Sequence, residues 1–155
     1  MFTTGKIARA AAVIAAVMFC ATSVSPAMAS DDVIQMIISD ALASPDAQAK
    51  LDGTVKFYFG QTPHPAVQHN YGEGVSNKKA NSFGKSDMKA CNRAFLSALL
   101  QFQARAHDLG ANAVINIHSF FKKEEASSET QLPCHSGFLM AGVTLKGEFV
   151  RLSGR

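Results

Sequence analysis

Between Asp32 and Ala43 the apolar residues Val33, Ile34, Ile37, Ile38 and Ala41 fall on one helical stripe, with acids at the start and Pro45 past the end. This spacing predicts a short amphipathic helix. Ser44–Asp52 reads as a polar connector. Thr54–Phe59 then alternates, with Val55, Phe57 and Phe59 set against Lys56 and Tyr58, the period-2 pattern of a half-buried strand. Gly60–Pro65 holds two prolines and reads as a loop. Val67–Ser76 reads as a second strand, bulged where Gly72 and Gly74 interrupt it.

The strongest periodicity lies in Asp87–Leu109. Met88, Cys91, Phe95, Leu99, Phe102, Ala106 and Leu109 recur every three or four residues, which predicts a long helix with that face buried. Ser86 is placed to cap its start and Gly110 to end it. Asn112–Phe121 alternates again, with Ile115, Ile117 and Phe121 expected on one face and Asn116 and His118 on the other. Lys122–Gln131 is charged and Ser-rich, a loop. Gly137–Val150 closes the chain as a long strand presenting Leu139, Ala141, Val143, Leu145 and Phe149 to one side.

The expected architecture is therefore α+β: a short N-terminal helix, then ββαββ, with one antiparallel-rich sheet packed on the long helix. The sheet's second face carries Val114, Phe120, Phe138 and Met140 beside polar residues, so the first helix or a partner is expected to cover it.

The residues before this pattern change the picture. Met1–Arg9 carries Lys6 and Arg9 and no acid, Ala10–Val24 is an apolar run, and Ala27-Met28-Ala29 is a small-x-small site. That is the layout of a secretory signal peptide, with cleavage expected between Ala29 and Ser30. The run is shorter than the roughly 18–20 apolar residues of a spanning helix. Phe19 stands where lipoprotein processing needs a small residue before Cys20, so Cys20 is expected to leave with the signal. The predicted units are 1–29 as signal peptide, 30–53 as N-terminal helix and connector, and 54–155 as the α+β domain. No membrane span is expected after cleavage, and the expected location is periplasmic.

The 155 residues contain 15 Lys+Arg against 12 Asp+Glu, and the signal removes two of the bases and no acid. The exported chain is close to neutral, and its basic residues form no platform with aromatics, so nucleic acid is not an expected partner. With 47% hydrophobic and 17% charged residues it has the composition of a folded domain.

Two cysteines survive processing, Cys91 on the helix and Cys134 before the last strand. In an oxidising space such a distant pair is most simply a disulfide; thiols used for redox chemistry or for metal are the competing readings. A metal site, Zn or Cu, would draw on Cys134, His135, His64, His69, His107 and His118, although only His64 and His69 have a zinc-like spacing. Gly84-Lys85-Ser86 looks like the end of a phosphate loop, but Lys79 occupies the position of its first glycine. Neither Gly-x-Ser-x-Gly nor His-Glu-x-x-His occurs. Glu124-Glu125 beside Lys122-Lys123 reads as a solvated charge cluster. No catalytic constellation is found, and a non-enzymatic protein is expected.

Ala106-x-x-Leu109-Gly110-Ala111-Asn112-Ala113-Val114, a helix running through an Ala-Asn-Ala-Val turn into a β pattern, resembles the YbjQ-like family of small bacterial proteins and the related RcsF-like domains. The resemblance spans Val55–Phe149. It implies an α+β fold and a disulfide from the helix to the segment before the last strand, where Cys91 and Cys134 are similarly placed. A second RcsF-like bridge has no counterpart, since His118-Ser119-Phe120 and Met140 stand in its place. The chain is also similar to an uncharacterised secreted group often labelled excinuclease ATPase subunit, a label the incomplete phosphate loop does not support. The heavy-metal-binding description given to YbjQ-like proteins keeps the metal reading open. The expected function is that of an envelope binding or stress-related interaction module, acting on an envelope protein or by self-association.

Overall fold

The computed structural model describes residues 32–154. The segment read as a signal peptide, with its Ala29/Ser30 junction, lies outside the described residues.

Six strands form one mixed sheet. In chain order the elements are β1 (Asp32–Ile37), α1 (Ile38–Leu42), α2 (Pro45–Lys50), β2 (Lys56–Phe59), β3 (Val67–Asn81), α3 (Asp87–Leu109), β4 (Ala113–Ser119), a 3-10 turn (Phe121–Lys123), β5 (Gln131–Ser136) and β6 (Met140–Leu152). The long β6 is the axis of the sheet. β3 pairs along one side of it. On its other side β6 meets β5 at Ala141 and Gly142 and β4 from Leu145 to Val150. β1 extends the sheet beyond β5, and β2 extends it beyond β4 as the parallel pair.

The helix α3 has the predicted bounds because both ends are fixed locally. Ser86 Oγ accepts from the Lys89 amide at 3.4 Å, and Gly110 takes the left-handed conformation, φ 74°, that ends the last turn. Ala90, Ala94, Ala98 and Ala106 let the backbone approach the sheet closely, and Phe95, Leu99 and Phe102 fill the space between. Phe102 meets Phe149 edge to face at 5.5 Å. Each large side chain buried here contributes roughly 1.5–3 kcal/mol of transfer free energy.

Several expectations require correction. Asp32–Ala43 is not one helix: Asp32–Ile37 is a strand, and only Ile38–Leu42 is helical. A helical stripe and a strand both explain an apolar run this short, and backbone pairing with β5 decides for the strand, with Met36 buried and Val33 and Ile37 exposed. The following helix packs against α3 and β1, so it does not cover the sheet's second face.

In β4, Ile117 keeps its predicted inward place but Ile115 does not share it. Asn116 adopts φ 51° in a bulge, so Val114 and Ile117 point to α3 while Ile115 joins Ala113, Val150 and Leu152 on the second face. Gly147 lies against this bulge; a Cβ there would come within 2.8 Å of Val114 Cγ1. Met88, expected inside, is exposed in the first turn of α3, and Leu139 is exposed beyond the edge of the core. The loop expected over Lys122–Gln131 gives way to β5 at Gln131. The predicted bulge of β3 is present, with Gly72 at φ 97° and a register shift between Asn70 and Glu73.

Candidate functional site

Cys91 and Cys134 form a disulfide, with Cα atoms 5.9 Å apart and neither residue exposed. It joins α3 to β5, and Ile34 of β1 pairs with Cys134 from the next strand. Sulfur held in this bond is not a thiolate and has no metal-binding lone pair of that kind to offer. Such a bond is at home in an oxidising space outside the cytoplasm.

The structure disperses the histidines. His64 lies edge-on to Tyr58, with Nδ1 2.8 Å from the Pro65 carbonyl. His69 packs on Tyr71. His107 sits 2.7 Å from Thr54 Oγ1 and 3.8 Å from Asp52, whose carboxyl is held below its usual range chiefly by the Thr54 hydroxyl. His135 stacks on Phe121 with ring centroids 3.4 Å apart. His118 is nearly buried; its Nδ1 lies 2.7 Å from the Asn116 carbonyl and its Nε2 3.7 Å from Glu125. Among the described residues no three His, Cys, Asp or Glu side chains gather in a metal-holding group.

His118 belongs to a polar network on the second face of the sheet. Lys146, from β6, lies 3.1 Å from Glu73 and 3.2 Å from Glu125, and its ammonium sits 5.2 Å from the Phe120 ring centroid. The hydrogen bond from Lys146 pulls the Glu125 carboxyl below the usual glutamate range, and the bonds to Glu73 and Glu125 raise Lys146. Ser119 and Ala126 exchange two backbone bonds of 3.0 Å. Together these contacts lay the 120–126 segment across the face that sequence left for a helix or a partner.

A second arrangement stands at the Met140 end of β6. Gly137 N–H donates to the Met140 carbonyl, which leaves Phe138 and Leu139 as the two residues at the end of the β5–β6 hairpin. Such positions favour Asn and Gly. Here they hold two large apolar side chains, with Phe138 81% exposed and Leu139 59%. Phe83, 60% exposed, meets Phe138 edge to face at 5.6 Å from the β3–α3 loop. Met140 is exposed beside them.

The two loops are tied together beneath these rings. Ser82, itself buried, donates its hydroxyl to the Gly137 carbonyl at 2.8 Å and its amide to the Leu139 carbonyl at 2.9 Å. Asn81 Oδ1 accepts from the Phe83 amide, and the Ser136 hydroxyl donates to Asp87 at 2.8 Å. The disulfide lies two residues from Ser136 and four from Asp87 along their respective elements. A hollow of about 390 Å³ opens at this end, lined by Asp32, Lys85, Asp87, Ser136 and Phe138 among others. Gly84-Lys85-Ser86, which resembled a phosphate-loop end, is the turn that carries Phe83 into α3. Another hollow, of about 420 Å³, lies between α2 and α3, where Pro45, Met88 and Leu96 meet Lys89 and Arg93.

Comparison of the chain with protein-family models, with curated proteins and with solved structures finds no match in any of the three. Sequence reasoning placed Phe138 on a sheet face and did not single out Phe83. The signal that finds them is Phe138-Leu139-Met140 following Gly137, an apolar triplet where the chain must reverse.

Proposed function

We propose that this protein is a secreted, non-enzymatic interaction module of the cell envelope, and that its contact surface is the tip built by Phe83, Phe138, Leu139 and Met140. One observation carries the reading: large apolar side chains crowd the ends of two adjacent loops, exposed, while the backbone beneath them is strapped by hydrogen bonds and a disulfide. Clustered exposed apolar residues mark interaction surfaces, whereas single ones are ordinary. A rigid support lowers the entropy lost when such side chains are immobilised. The signal-like N-terminus and the disulfide support a periplasmic location, and the YbjQ-like and RcsF-like resemblance fits an envelope role.

The test compares the protein with its Phe83→Ser/Phe138→Ser variant. Both are cross-linked in the living cell and recovered from the detergent-solubilised envelope. A specific adduct made by the parent and lost in the variant is the expected result. Identical adduct patterns for the two proteins would remove the tip as the contact surface.

A further inference from the structure

We infer that the hollow between the 60–64 loop and the Asn116 bulge binds an aliphatic ammonium ion, a diamine or a longer polyamine. This site is separate from the tip: Glu148, on its wall, lies eight residues along β6 from Met140, about 26 Å of strand.

The hollow has a volume of about 390 Å³ and is lined by residues 60–64, Ile115, Asn116 and Glu148. Its one carboxylate is that of Glu148, which is partly buried. Asn70 Nδ2 donates to one carboxylate oxygen at 2.9 Å, and Asn116 Nδ2 donates to the other at 3.2 Å. The second bond depends on the bulge, where Asn116 at φ 51° leaves the strand's regular alternation. Two carboxamides thus fix the carboxylate in place, yet it lacks a cation. Lys146, two residues earlier on the same strand, is engaged by Glu73 and Glu125, and Glu73 is also the register partner of Glu148. Among the described residues none forms an ion pair with Glu148. Three carboxylates on this face therefore share one ammonium.

The hydrogen-bonding inventory of the wall says what kind of group is missing. The Asn116 NH₂ is turned to Glu148, which leaves its Oδ1 as an acceptor. His64 Nδ1 lies 2.8 Å from the Pro65 carbonyl, which only accepts, so in the neutral ring Nδ1 carries the proton and Nε2 keeps a lone pair. The Thr62 hydroxyl donates to the Phe59 carbonyl, and its oxygen still accepts. A carboxylate offers about four acceptor sites, and two N–H groups leave about two of them open. Donors on these side chains are engaged within the protein, while acceptors and a negative charge remain. The complementary ligand is positively charged and donates without accepting.

An ammonium meets that description best. Its three N–H groups can reach separate acceptors, whereas a guanidinium binds a carboxylate through both oxygens at once, and here each oxygen already holds a carboxamide. A metal ion needs several His, Cys or carboxylate ligands, and among the described residues no three such side chains gather. The hollow is also far larger than a bare ion, and its size suits a small organic molecule. No lysine or arginine lines it, so the carboxylate of a free amino acid would find no partner there. That favours a plain aliphatic amine.

The experiment titrates the oxidised full chain, as recovered from the envelope, with diaminobutane. The readout is the side-chain carboxamide NMR signals of Asn70 and Asn116. Saturable shifts at both are expected, weakened by salt. Butanediol, the same chain without charge, should leave them unmoved. Tetramethylammonium, charged but lacking N–H, should bind about tenfold more weakly or worse. L-Lysine should bind less tightly than diaminobutane. Glu148→Gln should weaken diamine binding by about tenfold or more, and His64→Ala, in the exposed loop, by about threefold to tenfold. Circular dichroism checks the fold of Glu148→Gln, and His64→Ala decides alone if that variant is misfolded. Phe138→Ser should bind the amine as the parent does, so the hollow and the tip stand or fall separately.

The absence of saturable shifts at millimolar diamine overturns the inference, as do equal shifts with butanediol or tighter binding of L-lysine. Zinc or calcium producing the same shifts at lower concentration makes the hollow a metal site and also overturns it. So does diamine binding that Glu148→Gln and His64→Ala both leave intact.

Discussion

The hydroxyl of Ser82 donates to the carbonyl of Gly137 across 2.8 Å, and this bond joins the loop before α3 to the turn between β5 and β6. Phe83 and Phe138 follow the two bonded residues directly, so the position of one ring relative to the other is set underneath them. Ser82→Ala removes the donor and leaves a carbonyl short of a partner, at a cost of about 1 kcal/mol in urea unfolding. Exchange of the backbone amide at position 82, which donates to the Leu139 carbonyl, should accelerate in that variant. By contrast, Phe138→Ser at an exposed position should shift stability by only about 0.5 kcal/mol. A variant that abolishes contact without destabilising the protein separates the two roles.

Removing the Cys91–Cys134 bond by Cys91→Ala/Cys134→Ala should destabilise the protein strongly. The cysteines are 43 residues apart in sequence, for which the chain-entropy argument gives about 4 kcal/mol. Lost packing at two fully buried positions adds to it. Urea unfolding with and without reductant measures the effect. Parent protein in reductant should approach the variant, and the variant itself should ignore reductant.

Gly147 and Gly142 lie in the same strand and should respond oppositely to alanine. At Gly147 the new methyl meets Val114 and Ile117 at the bulge, at 2.8 and 3.2 Å, and overpacking of this kind costs about 1–3 kcal/mol. At Gly142 the nearest atoms are 3.5 Å away, so Gly142→Ala should be neutral or slightly stabilising. Thermal unfolding of the two variants decides it. Equal melting temperatures would contradict the close approach at the bulge.

The 120–126 segment should loosen on the sheet in acid, while its backbone bonds to Ser119 and Thr144 persist. Glu125 titrates below its usual range in the folded protein because of Lys146, so its contribution is complete above the unfolded value and disappears as pH falls through the lowered one. Lys146 is raised, so its contribution is complete below its unfolded value and disappears as pH climbs through the raised one. Amide chemical shifts of Ser119 and Ala126, which bond each other, report both transitions. Lys146→Met should return the acid midpoint toward an ordinary glutamate and remove the alkaline transition.

Much of this fold is legible in the sequence where local signals agree. The bounds of α3 follow from Ser86, Gly110 and a repeat that tertiary structure had no reason to override. The alternation of β6 survives because Ala141, Val143, Leu145 and Phe149 all face the helix. Reading fails where the deciding partner is distant. Val33, Ile34, Ile37 and Ile38 satisfy helix and strand patterns alike, and β5 settles the matter from the far end of the chain. That strand was hidden in turn by Pro133 and His135 and by the Ser-rich run before it.

In β4 a single inserted residue, Asn116, moved Ile115 to the opposite face, an effect no period-2 count contains. The histidines illustrate the same limit: sequence gathers them by type, whereas space sets His64, His69, His107, His118 and His135 beside different neighbours. The pair Cys91 and Cys134 was the part of the candidate chemistry that spacing and compartment could anticipate.

The placement of β1 has a consequence for the order in which the molecule completes itself. Its register partner is β5, about a hundred residues downstream. A chain delivered N-terminus first presents Asp32–Ile37 long before Gln131–Ser136 arrives. The same late segment supplies Cys134, so one short piece near the end of the chain closes the sheet's outer edge and locks α3 to it. Until that keystone is delivered the first strand has no seat, and α3 has no covalent tie to the sheet.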